Sequence, residues 1–193
     1  MTAVFIWIKH NYRILWRLVE AVNSFLLGLF FGRKLEGVKR ANARKNLSFG
    51  YLRILRIDDA ERVACFLECV TEAEKKVFDP HKFGLSDIKK VLQSRGYLAF
   101  GFFDNDKLAG YFFLRLFFLK KAFIGRYLTE GFRGKGIGKE SSIFLCNVGE
   151  NLGFKIYSTI SKDNFASLGS HRSTGQMTVV KELPNNYVLV RMG

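Results

Sequence analysis

The sequence of 193 residues predicts an α/β fold in which strands and helices alternate around one sheet, preceded by an apolar and basic helical extension. Three observations carry this. From Tyr51 onward, β-like runs alternate with helical patterns. Residues 4–31 are dominated by Phe, Ile, Leu, Val and Trp, with polar positions recurring at helical spacing. An apolar run ending at Leu128 leads through glycines at 134, 136 and 138 into a helix-like stretch. The expected organisation is a helical extension over 1–50 and a catalytic domain over 51–193. Since 48% of the residues are apolar, the chain can bury a substantial core.

In the extension, Lys9, Arg13, Arg17, Glu20 and Ser24 fall three or four apart and make one narrow polar stripe on a helix. Trp7, Trp16, Phe25, Phe30 and Phe31 lie on the remaining apolar surface, and Arg33, Lys34, Lys39, Arg40, Arg44 and Lys45 follow. An apolar helix beside a polybasic segment suits an anionic bilayer face, giving peripheral attachment through residues 1–45 at the inner side of a cytoplasmic membrane. Packing on its own domain or in a homodimer is the competing reading. The longest uncharged stretch, Ala21–Gly32, is too short to cross a hydrocarbon core of about 30 Å. Charged residues interrupt the apolar region, which also argues against a signal peptide. His10 reads as structural or interfacial. The net charge is +14, and residues 1–57 hold eleven Lys/Arg against two Glu. That asks for an acidic partner or surface. Nucleic acid is set aside because interleaved Phe and Leu do not read grooves.

The domain opens with a strand over Tyr51–Ile57. A helix follows through Val70, capped by Asp58. Thr71–Gly84 reads as a loop containing Asp79-Pro80-His81, and Ser86–Ser94 as a helix capped by Ser86. Strands over Tyr97–Phe103 and Leu108–Phe118 are joined by the turn Asp104-Asn105-Asp106-Lys107. A strand over Ala122–Leu128, a helix over Gly138–Leu152 and a strand over Lys155–Ser161 come next. A helix begins near Asn164, and Val179–Glu182 and Tyr187–Met192 close as a hairpin. Cys65, Cys69 and Cys146 form no disulfide framework and no zinc site, and read as small core or boundary residues in a reducing setting.

The run Arg133-Gly134-Lys135-Gly136-Ile137-Gly138-Lys139 sits at a helix N-terminus, where free N–H groups and the helix dipole favour phosphate. Glycine lets a phosphate approach the backbone, and Arg133, Lys135 and Lys139 add positive charge. A dinucleotide fingerprint needs G-x-G-x-x-G early in a βαβ unit, and a P-loop needs G-x-x-x-x-G-K-S/T. Neither spacing is met: Glu140 follows Gly138-Lys139, and Arg133 stands at the first glycine position. An ordinary strand-to-helix turn is the plain alternative.

A second segment, Asn164-Phe165-Ala166-Ser167 with His171 and Gly175, lies downstream. Together the two segments resemble the GNAT superfamily of acyl-CoA N-acyltransferases. Arg133, Gly136 and Gly138 satisfy the family's loop pattern Q/R-x-x-G-x-G/A. Asn164, Ser167 and Gly175 follow its next segment, while His171 stands where tyrosine is usual and Gln176 replaces phenylalanine. The resemblance covers Tyr51 to the C-terminus. It implies a mixed, mostly antiparallel central sheet flanked by helices, and acetyl transfer from acetyl-CoA to an amine without a metal.

The resemblance also implies roles. Backbone amides of residues 133–139 would anchor CoA. A backbone N–H near Leu128, where two strands splay, would polarise the thioester carbonyl. Asn164 would hold CoA or splay the strand, with a plain helix cap as the other reading, and Ser167 would line the CoA channel. His171 would act as the acid at the departing thiolate or only pack beside the pantetheine arm. For the base, His81 in Phe78-Asp79-Pro80-His81 resembles members linked to bacterial surface-polysaccharide synthesis, and Glu130 is a second candidate. The acceptor implied is a small amine, such as an amino sugar on a nucleotide or lipid carrier. A protein or peptide N-acetyltransferase and a non-catalytic membrane-associated module of the same fold are the alternatives.

Overall fold

Eight strands make one sheet: β1 (Arg44–Asn46), β2 (Tyr51–Ile54), β3 (Tyr97–Asp104), β4 (Lys107–Phe117), β5 (Lys121–Leu128), β6 (Lys155–Ser161), β7 (Met177–Leu183) and β8 (Tyr187–Met192). Their order is β1-β2-β3-β4-β5-β6-β8-β7. Every neighbouring pair is antiparallel except β5 with β6. The helices are α1 (Arg13–Arg40), α2 (Ala60–Glu68), α3 (Glu72–Lys75), α4 (Leu85–Gln93), α5 (Ile137–Asn151) and α6 (Phe165–Arg172). The computed structural model describes residues 13–41, 44–175 and 177–193, with side chains in α1 from Leu18 onward. Trp7, Lys9, His10 and Gln176, and the side chains of Arg13, Trp16 and Arg17, lie outside the described residues.

Alternation along the strands gives the sheet two apolar faces. Leu98, Phe100, Phe112, Leu114 and Ile124 face α1 and α5. Tyr97, Phe103, Tyr111 and Phe113 face α2 and α4. Phe100, Phe102, Phe103 and Phe112 are all but fully buried, each contributing about 1.5–3 kcal/mol. At the β3–β4 turn, Asn105 and Asp106 take positive φ of 45° and 61°, as a tight hairpin with right-handed strand twist requires.

Helix α1 and strand β1 pack on the rest of the fold. Leu27, Phe31 and Leu35, spaced by four, lie in the core on the α5 side, and β1 pairs with β2. Asn23 bridges α1 to the β4 end, donating to Leu116 O at 2.9 Å and accepting from Phe118 N–H at 3.0 Å. On the far side of the helix, Leu18, Val22, Phe25 and Leu29 recur at spacings of four, three and four and are exposed, Phe25 at 69%. No helix among the described residues is long and apolar enough to cross a membrane.

Local signals misplace two caps and miss one helical turn. Asp59 rather than Asp58 holds the start of α2: its carboxylate accepts from Arg56 N–H at 2.9 Å and from both arms of Arg53 at 2.7 and 2.8 Å. Gly84, not Ser86, precedes α4. Thr71–Gly84 is not all loop, because Thr71 and Glu74 cap each other reciprocally around the single turn α3. Cys65 and Cys69 are exposed, while Cys146 is buried as expected of a core residue.

Candidate active site

β5 and β6 pair only at Lys121–Lys155, Ala122–Ile156 and Phe123–Tyr157. Beyond that point β5 stays with β4 as far as Leu128–Gly110. β6 stays with β8 as far as Ser161–Tyr187. Each strand therefore offers one unpaired edge to a gap that widens toward Leu128. Thr129 N–H donates across to Ala109 O at 3.0 Å. Since successive backbone groups alternate sides, the N–H groups of Leu128 and Arg126 face the gap.

The glycine run lies at the wide end of the gap. A 3₁₀ turn over Glu130–Phe132 is followed by Gly134 and Gly136 at φ of +75° and +81°. Such values favour glycine. Arg133 N–H is taken by Glu130 O at 3.0 Å, and Lys139 and Glu140 N–H by Gly136 O at 2.9 and 3.1 Å. Between them, the N–H groups of Gly134, Lys135, Gly136, Ile137 and Gly138 have no acceptor among the described residues. The open stretch is thus 134–138, narrower than 133–139. The Ile137 side chain is fully buried and anchors the loop. A Cβ on Gly138 would sit 2.8 Å from Ser170 Oγ, so glycine there lets α5 approach α6.

The basic side chains of the run do different work. Lys139 lines the trough at the gap, whereas the Lys135 ammonium lies 5.2 Å from the Phe132 ring centroid. Arg133 donates to Leu128 O at 2.9 Å and pairs with Glu74. Glu74 was not singled out in the sequence, although Thr71-x-x-Glu74 is a readable capping box. Partial burial opposes its ionisation, but bonds from Arg133, Thr71 and Tyr127 outweigh that and hold its carboxyl at about 2.

Arg126 is the least expected feature. Its side chain is half-buried, lines the trough and has no carboxylate partner among the described residues. It donates to Gly138 O at 2.6 Å, to Ser170 Oγ at 3.1 Å, to Ser142 Oγ and to His171 Nδ1 at 2.5 Å. Burial lowers it to about 10, so it stays a cation at neutral pH. His171 is 2% exposed. Burial first, and Arg126 second, push its imidazole down to about 3, so it is neutral at physiological pH. Ser167 O also lies 2.8 Å from Nδ1. A guanidinium can only donate and a carbonyl oxygen can only accept, so Arg126 and Ser167 O compete for Nδ1: the first calls for a bare nitrogen with the proton on Nε2, the second for Nδ1–H. Nε2 is buried and has no partner among the described residues.

That geometry fixes a pH dependence. An unfolded imidazole takes its proton near its ordinary value of about 6.5, the folded one only near 3. The unfolded state binds more protons in between, so stability is whole above about 6.5 and falls as the pH drops toward 3. Between pH 7 and 4 this group accounts for on the order of 3 kcal/mol. Urea denaturation at both pH values should show His171→Gln losing less stability over the interval than the parent. An identical loss would place a charged imidazole in the folded state.

The remaining candidates are placed as follows. Asn164 caps α6, its Oδ1 accepting from Ser167 N–H at 3.0 Å, and both residues line the trough. His81 stands apart from the gap, among Phe83, Tyr97, Tyr111 and Phe113 at ring distances of 5.7–6.2 Å. Its Nδ1–H donates to Lys82 O at 2.9 Å, leaving Nε2 to accept from Tyr111 OH at 3.0 Å. Both nitrogens are engaged, which suits a residue that pins its loop and not a base. Glu130 is exposed on the 3₁₀ turn and does not line the trough. No group of three His, Cys, Asp or Glu among the described residues could hold a metal ion.

A family model described as the Acetyltransferase (GNAT) family matches residues 54–175. The GNAT domain of S. lividans PAT superposes with a TM-score of 0.67 at 12% identity, over 77% of this chain and 96% of that one. Ribosomal-protein-S5-alanine acetyltransferase from Vibrio fischeri gives 0.61 at 17% identity, over 77% and 95%. Aminoglycoside acetyltransferase AAC(6')-Ib in complex with coenzyme A gives 0.58 at 16% identity, over 73% and 93%. At these identities the likeness is one of fold. No curated protein matches the sequence.

Proposed function

The chain belongs to the GNAT acetyltransferase family, and from that premise we propose that it transfers an acetyl group from acetyl-CoA to the amine of a small acceptor. The observation that carries this is the set of five unclaimed N–H groups at 134–138, at the mouth of the β5–β6 gap. They fit a diphosphate, since no side chain at 134, 136 or 138 intrudes and the helix dipole adds to them. Acetyl-CoA, when bound, supplies the activated acetyl group.

Within this reading the chain's own groups divide the work. The Leu128 N–H donates to the thioester carbonyl oxygen, a contact of the kind worth a few kcal/mol. Where Arg126 claims Nδ1, the neutral imidazole of His171 carries its proton on Nε2 and offers it as a hydrogen bond to the leaving sulfur. Asn164 shapes the start of α6 and so presents Ser167 and His171 to the gap. Glu74 and Asp79 line the acceptor side. Glu74, with its low pKa, attracts an ammonium group but does not take its proton.

The acceptor suggested is an amino sugar on a carrier, of the kind used in surface-polysaccharide synthesis. The exposed stripe of α1, with exposed Arg33 and Lys34 beyond it, supports seating the enzyme peripherally on an anionic membrane. Self-association through the same stripe would instead make a homodimer, which sedimentation without lipid would reveal. The catalytic reading is tested by thermal unfolding with acetyl-CoA. Millimolar cofactor should raise the melting temperature by several degrees, as ligand linkage requires. An unchanged melting temperature would leave a non-catalytic module of this fold.

A further inference from the structure

The trough that contains the β5–β6 gap has a volume of about 1510 Å³. Ordinary small-molecule sites fall at roughly 300–1,000 Å³. Its polar groups are unevenly placed. Glu74, Arg126, Arg133 and the glycine run gather at the wide end of the gap with Phe78 beside Tyr127, while Phe117, Phe118 and Phe123 line a largely apolar arm leading away from it, with Asn23, Arg115 and Lys121 at its far end. That arm runs toward the β4–β5 turn, at the opposite end of β5 from Leu128, where Leu18 and Val22 of α1 complete its wall.

Leu18 and Val22 have a second membership. They are the first two positions of the exposed stripe that continues through Phe25 and Leu29. The wall of the arm and the exposed face of the helix are therefore one apolar surface. Phe118 and Leu119, exposed at 37% and 53%, extend it beside exposed Lys120 and Lys121. An apolar channel that begins at the transfer point and opens beside cations fits a molecule with a reactive head, a hydrocarbon tail and an anionic surface to leave.

We propose that the acceptor is an amphiphile whose hydrocarbon tail lies in this arm, entering past Leu18 and Val22 while its amine reaches the gap. This rests on the acetyl-transfer reading and specifies its substrate class. The tail belongs to the acceptor and not to the acyl donor. The arm lies along the face that carries Phe113 and Tyr127, which packs against α2 and α4. The open N–H groups that would hold the donor stand at the α5 end.

The probes are alkyl 2-amino-2-deoxyglucosides with butyl, hexyl, octyl and decyl tails, kept below their micellar concentrations. Their binding is measured by calorimetry in the presence of coenzyme A. Each buried methylene tightens binding by up to about fourfold, a ceiling of about 4,000-fold over the six methylenes that separate decyl from butyl, and the expected gain is about 100-fold or more within that ceiling. Val22→Asp and Leu18→Asp, at exposed positions, should erase most of that gain while leaving coenzyme A affinity and butyl glucoside affinity unchanged. Tail-independent binding, or a gain that survives both substitutions, would overturn the proposal. So would a chain-length gain seen with decanoyl-CoA over acetyl-CoA and lost in Val22→Asp, which would give the arm to the donor. Coenzyme A binding is read separately in the same instrument, so failure of the acetyl-transfer reading shows there and not in the tail series.

Discussion

Glutamate in place of Gly136 abolishes coenzyme A binding, weakening it on the order of 1,000-fold or more in a calorimetric titration. Two effects add. Gly136 sits at φ +81°, and a side chain in that left-handed region costs roughly 1–2 kcal/mol. The new carboxylate then stands among the open N–H groups of 134–138, satisfying them internally and repelling a diphosphate. Gly136→Ala separates the two, since it brings the backbone strain without the charge and should weaken binding by about 30-fold at most. A Gly136→Glu protein with a parental urea midpoint and undiminished affinity would remove the glycine run from cofactor binding.

Arg126→Met produces an opposite pairing of effects. Folding stability should change little, within about 1 kcal/mol, because a half-buried charge lacking a counter-ion is replaced by an apolar chain of similar length. Of the groups left behind, Gly138 O still accepts from Ser141 Oγ at 3.1 Å and Ser142 Oγ at 2.8 Å, while Ser170 Oγ loses the guanidinium as its donor. Turnover should nevertheless fall on the order of 100-fold, since the guanidinium no longer contests Nδ1 and the His171 proton moves there to meet Ser167 O. The imidazole pKa, read by NMR, should move up from about 3 as the neighbouring cation disappears. His171→Phe should share the loss of turnover without that titration. Full activity in Arg126→Met would confine the guanidinium to packing.

The sequence made legible what depends on neighbours along the chain. The hairpin at Asp104–Lys107, the strand Lys155–Ser161 and the glycines before α5 announce themselves through turn chemistry and periodicity. Contacts made only by folding left no such trace. Arg126 meets Gly138, Ser142, Ser170 and His171 across twelve to forty-five positions. Glu74 meets Arg133 across fifty-nine. No period or spacing joins those residues. His171 could be seen at a tyrosine position, but its neutrality follows from burial beside Arg126, which only the packing reveals. His81 misleads for a related reason. A histidine after Asp79-Pro80 looks available, and it is an aromatic cluster and the Tyr111 hydroxyl that engage it.

Helix α1 carries an exposed apolar flank and a share of the core in one segment. Phe31 packs at a tilt on Phe154 with ring centroids 4.8 Å apart, and Leu27 and Leu35 seal the interior on either side of it. Excising the helix to be rid of its greasy flank would therefore unroof the protein, at several kcal/mol per truncated side chain. Any change to that flank has to be made by repainting Phe25, Leu29 and Phe30 with polar residues, leaving the helix in place.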